Sequence, residues 1–388
     1  MPARSFGPYS SDGIPVRAGA KVQLRVKQTS GDPQQLAKLR FGIAQLEPKG
    51  SGGLLLPAPG PSVEPSPAPE FVEGAWIAQG ATSDELTLIV AEDGVAQDIS
   101  RTLPGTVLEV AWSQDGRWLA CAHHNAPGLT VIDLETGDID TDWPSVPGDG
   151  HSLAFSQDGS KLAVGHNTSP YLTVIDVATK AAETGWPDVS GIPRAVVWSL
   201  NDERIFLGGS SGGVNLTVVN TNTKDIESGW PTMEVTIESM ALRPDGAKLA
   251  MGTPKSSSNH GAFRIMDLAT GDLDSGWLTA AEALADTGYS IAWAPDADKL
   301  AVGQFWDGYR VIDVATQSVE TGWASGGQRG EGIAWHPTEP LLAIAGQTAP
   351  GLRVVNTDTK TEAVGWPPGT TNGRTVAFAW DPTNTWSG

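Results

Sequence analysis

The stretch Phe155-Ser156-Gln157-Asp158-Gly159-Ser160-Lys161-Leu162-Ala163-Val164-Gly165, followed by Thr173-Val174-Ile175-Asp176 and then by Gly185-Trp186-Pro187, decides the fold. An aromatic residue closes the first apolar run. Asp and Gly then form a tight turn, because Asp bonds to nearby backbone and Gly tolerates positive φ. A second apolar run follows, then a β-branched one. Runs of about four to six residues rich in Val, Ile and aromatics, punctuated by Gly, Asp and Pro, are strand signals. Apart from one helical turn expected at Thr279–Asp286, no stretch of 12 residues sustains helical periodicity.

The same order recurs along the chain. Val110-Ala111-Trp112, Val196-Val197-Trp198, Ile291-Ala292-Trp293 and Ile333-Ala334-Trp335 repeat the first run. Lys248-Leu249-Ala250-Met251-Gly252 and Lys299-Leu300-Ala301-Val302-Gly303 repeat the second, and Thr130-Val131-Ile132-Asp133 and Arg310-Val311-Ile312-Asp313 the third. Trp143, Trp186, Trp230, Trp277, Trp323 and Trp366 close the units at spacings of 43, 44, 47, 46 and 43 residues, and their pattern predicts a fourth, outermost strand carrying Gly-Trp. Four strands per repeat at this period mean propeller blades. Complete units begin near residues 108, 151, 194, 238, 289 and 331. Thr375–Trp380 supplies one more first strand, and its missing partners lie at the other end, in Ala75–Gly80, Leu86–Val90 and Gly94–Ser100. The expected fold is therefore all-β, a seven-bladed β-propeller with the seventh blade closed by both termini, plus a small β-rich N-terminal anchoring arm. Closure removes free sheet edges, which otherwise invite mis-pairing.

The order VAxSxDG, LAVG, TVID resembles the WD-repeat and related β-propeller superfamily over roughly residues 71–382. The fourth strand departs from that family in carrying Gly-Trp-Pro, without a regular Asp-His pairing. The wording from Phe155 to Tyr171 is similar to repeats of bacteriophage virion proteins. That resemblance implies a structural, non-enzymatic role in a virus particle.

Charge divides the chain. Residues 1–50 hold eight Lys/Arg against three Asp/Glu, whereas residues 51–388 hold 17 against 42. A domain this acidic is not expected to bind nucleic acid, since phosphate binding needs cationic groups. The single cysteine, Cys121, allows no disulfide framework and reads as a buried, inert thiol. Met1–Tyr9 lacks the apolar core of a secretory signal, and no run approaches 18 apolar residues, so neither standard export nor membrane insertion is expected. The organisation is a basic arm at 1–50, a Pro-rich linker at 51–70 and the propeller at 71–388. Pro57, Pro59, Pro61, Pro65, Pro67 and Pro69 favour an extended spacer, on the order of 60 Å long at about 3.1 Å per residue. In the arm, Val22, Leu24 and Val26 share one face of a strand, and Phe41 and Ile43 lie in a candidate partner strand. A lone hairpin is marginal in water, so the arm is expected to gain its stability on a partner, by packing or strand addition.

Strand alternation places the second-to-third and blade-to-blade loops on the face away from the linker. The residue three before the centre of each first strand should lie at the channel mouth on that face: Leu108, His151, Arg194, Glu238, Tyr289, Glu331 and Arg374. With two Glu and two Arg, these read as a self-neutralising polar ring that offers a single imidazole, short of what a metal site needs. His123, His124 and His166 fall where repeat register puts them. No calcium loop, phosphate loop, nucleophile elbow or Cys-His pair is present, so no metal and no cofactor is expected. The longer loops Thr253–Ala262, with His260, and Leu278–Gly288 belong to the same face, as does Trp306, an expected exposed contact. Loops on a rigid scaffold carry binding. The four first-strand tryptophans read as packing between blades.

The functional expectation is a phage virion structural protein, part of a larger oligomeric assembly. Residues 1–60 would dock on other virion proteins of the capsid or tail, and the distal face would meet a host surface receptor. One alternative is a cytoplasmic protein-binding scaffold; another is a propeller lactonase or hydrolase with its site at the channel mouth.

Overall fold

A computed structural model of the chain describes residues 75–378, except 93–94, 211–214, 255–261, 278–279, 282–283, 285, 307, 325–328, 367–368 and 370–371. All of it falls in the second of the two parts into which the chain divides, Pro65–Gly388. The predicted arm residues Val22, Leu24, Val26, Phe41 and Ile43, the Pro-rich linker and His260 lie outside the described residues.

Seven antiparallel sheets form a seven-bladed propeller. Blade 1 consists of Val107–Trp112, Trp118–His123, Leu129–Asp133 and Asp138–Asp140, in that order from the centre outward. Blade 2 repeats this with Gly150–Phe155, Lys161–His166, Leu172–Asp176 and Ala181–Ala182. The first strands of blades 3 to 6 are Ile192–Trp198, Ser239–Leu242, Gly288–Trp293 and Gly332–Trp335. Blade 7 joins the two ends of the repeat region: Gly373–Phe378 pairs with Ala75–Ala81, which pairs with Glu85–Glu92 and then Val95–Thr102. The closing register sets Ile77 opposite Phe378 and Gln79 opposite Val376. The seam expected from sequence is thus the seam observed. The expected helical turn survives as helical residues Ala280 and Ala281.

Repeat chemistry explains the turns. In the first-to-second turn of blade 2, Gly159 sits at φ 70° and donates its N–H to Ser156 O at 2.9 Å. Asp158 Oδ1 accepts the Ser160 N–H at 2.9 Å and the Ser156 hydroxyl at 2.7 Å. Gly116 and Gly246 occupy the same left-handed position at φ 70°. Blade 5 puts Ala297 there, at φ 62°, a conformation that Cβ sterics disfavour. The glycine near the end of the second strand in blades 2 to 5 (Gly165, Gly208, Gly252 and Gly303) has another cause. A Cβ on Gly303 would lie 2.3 Å from Gly330 O, because the connection into the next blade passes directly over it.

One expectation is corrected. The Gly-Trp pairs do not lie in fourth strands. Those strands are short, two residues in blades 2, 5 and 6 and three in blade 1, and the tryptophan follows them. Blades 3 and 4 keep only single bridges there, Val219 to Ile226 and Met266 to Leu273. Once out of the strand, the indole is free to fold over the seam to the next blade. Trp277 meets Trp293 edge to face at 5.8 Å, Trp323 meets Trp335 at 6.3 Å and Trp366 meets Phe378 at 6.4 Å. In each case the contacted ring closes the next blade's first strand.

A carboxylate three residues before the tryptophan anchors it. Glu183 Oε2 accepts from Trp186 Nε1 at 3.1 Å, Glu227 from Trp230 at 3.0 Å and Glu320 from Trp323 at 2.9 Å. Cations converge on the same carboxylates. Glu183 meets Lys161 of its own blade and Lys224 of the next at 3.1 Å; Glu320 meets Lys299 at 3.6 Å and Lys360 of the next blade at 2.7 Å. Partial burial works against ionisation of Glu183, but Lys161, Lys224 and Trp186 together hold it below the usual carboxylate range. Lys180, Lys224 and Lys360 adopt positive φ, and each reaches back to the preceding blade's carboxylate, at Asp140, Glu183 and Glu320.

First-strand tryptophans supply a second inter-blade link. Trp112 Nε1 donates to Ala377 O at 3.3 Å, Trp198 to Ala154 O at 2.9 Å, Trp293 to Ala241 O at 3.1 Å and Trp335 to Ala292 O at 3.0 Å. The packing role read from sequence is therefore joined by a directional bond. The first of these four crosses the closure between blades 7 and 1. Trp118, at the start of a second strand, is buried and packs edge to face on Trp143 at 5.5 Å.

Candidate functional site: the upper channel mouth

The first strands run side by side around the axis, and their starts define one end of the channel, called here the upper mouth. All seven residues of the predicted ring, Leu108, His151, Arg194, Glu238, Tyr289, Glu331 and Arg374, line a single cavity of about 160 Å³ at this end. Each lies within the first three residues of a first strand or immediately precedes it, so one repeat position from each of seven blades converges there. The sequence expectation of a polar ring matches this placement. Arg194 Nη1 lies 3.0 Å from Glu238 Oε2, and Arg329 lies 3.6 Å from Glu331. Burial raises the Glu331 carboxyl, opposed by the charges of Arg374 and Arg329. Burial also raises the Tyr289 phenol.

His151 departs furthest from ordinary behaviour. Burial, then the neighbouring His124 and the positive charge of Arg194, lower its pKa to about 4. The ring is neutral at pH 7. His124 follows the second strand of blade 1, and its imidazole stands 5.8 Å from that of His151 at 62°. Asp149 precedes the first strand of blade 2 and joins them. The sequence assigned His124 to repeat register together with His123 and His166. That register governs the other two: His123 and His166 are buried and bond through Nε2 to Thr130 at 2.8 Å and Thr173 at 3.0 Å. His124 lies one residue beyond it, at the mouth. The signal in sequence was the doubled histidine at 123–124, unmatched in the other blades.

Glu109 was also missed. It lies partly buried within the channel, between the upper cavity and a second of about 420 Å³ at the lower end. Removal from bulk water raises its carboxyl to about 8, against the opposing Leu153 N–H, which donates to it at 3.3 Å.

Away from the axis on the upper face, Trp306 is 70% exposed. It is held rather than loose. Its N–H donates to Asp286, Phe305 packs edge to face on it at 4.7 Å, and the Arg329 guanidinium stacks 3.8 Å from the Phe305 centroid and 4.7 Å from that of Trp306. Tyr289 of the ring touches Phe305 at 5.5 Å, so the aromatic ledge is continuous with the channel mouth. Of the predicted distal-face loops, Thr253–Ala262 is described only at its ends. The opposite face carries a groove of about 690 Å³ between blades 5 and 6, lined in part by Asp296, Lys299, Glu320, Glu339 and Lys360.

No protein-family model matches the chain, and no curated protein matches it. Among solved structures, it is similar to Kuenenia stuttgartiensis hydrazine synthase, with a TM-score of 0.53 and 15% identity over 65% of this chain and 77% of that one. At that identity the likeness is one of fold.

Proposed function

We propose that the chain is a non-enzymatic display protein, a structural component of a bacteriophage particle, in which residues 1–60 dock on other virion proteins and the propeller is presented for host attachment. The observation that carries this reading is the upper face. It offers a rigidly held, exposed aromatic ledge at Trp306 beside a polar mouth of about 160 Å³. Sites for metabolite-sized ligands run from about 300 to 1,000 Å³, so this mouth is better suited to surface recognition than to enclosing a substrate. Inter-blade carboxylate–Lys–Trp links make the disc a stiff platform for that ledge. The order of basic arm, Pro-rich spacer and acidic propeller suits a tethered module.

The test is incorporation. Particles purified from the source of the chain should contain the protein stoichiometrically, and deletion of residues 1–50 should abolish incorporation while leaving a folded propeller. Absence of the protein from particles overturns the virion reading. Retention of the truncated chain in particles overturns the arm as anchor.

A further inference from the structure

His124, Asp149 and His151 come from two blades and meet at the rim of the upper mouth. Asp149 and His151 flank Gly150, the first residue of a strand, and His151 is the extra residue where the pairing register shifts between Gly150 and Ser152. His124 roots the loop that follows the neighbouring strand, with its N–H donating to Thr106 O at 3.0 Å. One potential ligand atom from each of the three side chains lies within 4.8 Å of the others. All three are half-buried, and His151 lines the cavity of the mouth.

The carboxylate is oriented independently of the histidines. Asp149 Oδ1 accepts the Asn125 N–H at 2.8 Å, Oδ2 accepts from Asn167 Nδ2 at 2.9 Å, and the Asp149 N–H donates to Asn167 Oδ1 at 2.9 Å. Metal-ligating carboxylates are characteristically fixed by such outer-shell bonds, and each oxygen retains a lone pair.

We propose that His124, Asp149 and His151 bind a divalent transition-metal ion of the zinc class, bridging blades 1 and 2 at the channel rim. Two imidazoles and one carboxylate form a mixed nitrogen and oxygen set that suits such ions, whereas calcium and magnesium take oxygen shells. Zinc bonds of about 2.0–2.2 Å in a tetrahedron set donors roughly 3.3–3.5 Å apart. Three protein ligands leave a fourth position open toward the mouth, where water or a partner's donor completes the shell. The guanidiniums of Arg194 and Arg374 act on His151 and oppose a cation. Their charge is offset, since Arg194 pairs with Glu238 at 3.0 Å and Arg374 acts on Glu331. This site stands apart from the display reading and holds or falls without it.

The experiment uses the full chain, stripped with a chelator and titrated with zinc chloride by calorimetry. One zinc ion per chain should bind tightly. His124→Ala and His151→Ala should each weaken binding at least about 100-fold. Asp149→Asn, which keeps an acceptor for the Asn125 N–H, should weaken it at least about 10-fold. Circular dichroism checks folding. If a histidine variant fails to fold, the decision passes to Asp149→Asn and to cobalt substitution, whose visible absorption band should appear in the wild type and weaken in that variant. Absence of stoichiometric binding, or binding unmoved by these substitutions, overturns the site.

Discussion

Trp198→Phe isolates what one repeat tryptophan does at a blade interface. Trp198 is 1% exposed, and its indole N–H crosses from blade 3 to Ala154 O of blade 2 at 2.9 Å. Ala154 stays paired with Ala163 within its own sheet, so its carbonyl is not orphaned. The loss is then the ordinary net value of a hydrogen bond, about 0.5–1.5 kcal/mol. Shrinking indole to phenyl also removes roughly 40 Å² of buried apolar surface, about 1 kcal/mol at 25 cal/mol/Å². Together the substitution should cost about 2 kcal/mol. A phenyl ring fits the site, because blade 2 carries Phe155 at the same repeat position, so the fold itself is expected to survive. The assay is equilibrium urea unfolding followed by circular dichroism, with superimposable unfolding and refolding curves. Trp306→Phe, at an exposed ring, is the control and should stay within about 0.5 kcal/mol of wild type. A loss for Trp198→Phe no larger than that of the control would refute the inter-blade role.

Two further outcomes follow from single residues. Glu109 has its carboxyl raised from 4.5 to about 8, so the folded state binds more protons than the unfolded state between those values. Its stabilising contribution is complete below pH 4.5 and is lost as pH rises toward 8. Glu109→Gln should therefore gain on wild type progressively across that window, by at most about 5 kcal/mol and by less to the degree that water enters the lumen; an unchanging difference in urea midpoint between pH 5 and pH 8 would count against it. Ala297→Gly should raise stability by about 0.5–1 kcal/mol, because relief of the left-handed alanine outweighs the extra chain entropy of glycine. A lower urea midpoint for Ala297→Gly would show that this turn stores no strain.

Much of the fold was legible because its causes are local. Asp158 and Gly159 make their turn with their own neighbours, and Thr173-Val174-Ile175-Asp176 reads as a strand wherever it sits. Repetition multiplied those weak signals, and counting units to both ends located the closing blade. The polar ring was legible too, because the same repeat position in seven blades must converge on the axis. The placement of Gly-Trp was misjudged because the indole's partners are remote in sequence: Trp277 ends its repeat against Trp293 of the next blade, and Lys224 reaches back 41 residues to Glu183.

What the sequence by itself determined is what recurs and is held by local contacts: strand, turn, blade count and the composite seventh blade. What only the tertiary structure decided is what happens between repeats. His124 and Asp149 each belong to a different blade's loop and carry no shared period. They meet because blade 2 packs against blade 1, setting the end of one blade's second strand against the start of the next blade's first strand. Glu109 reads as an ordinary strand carboxylate until the seven first strands surround it and take it out of bulk water. Strands and turns are set by contacts along the chain; these three are set by contacts between blades.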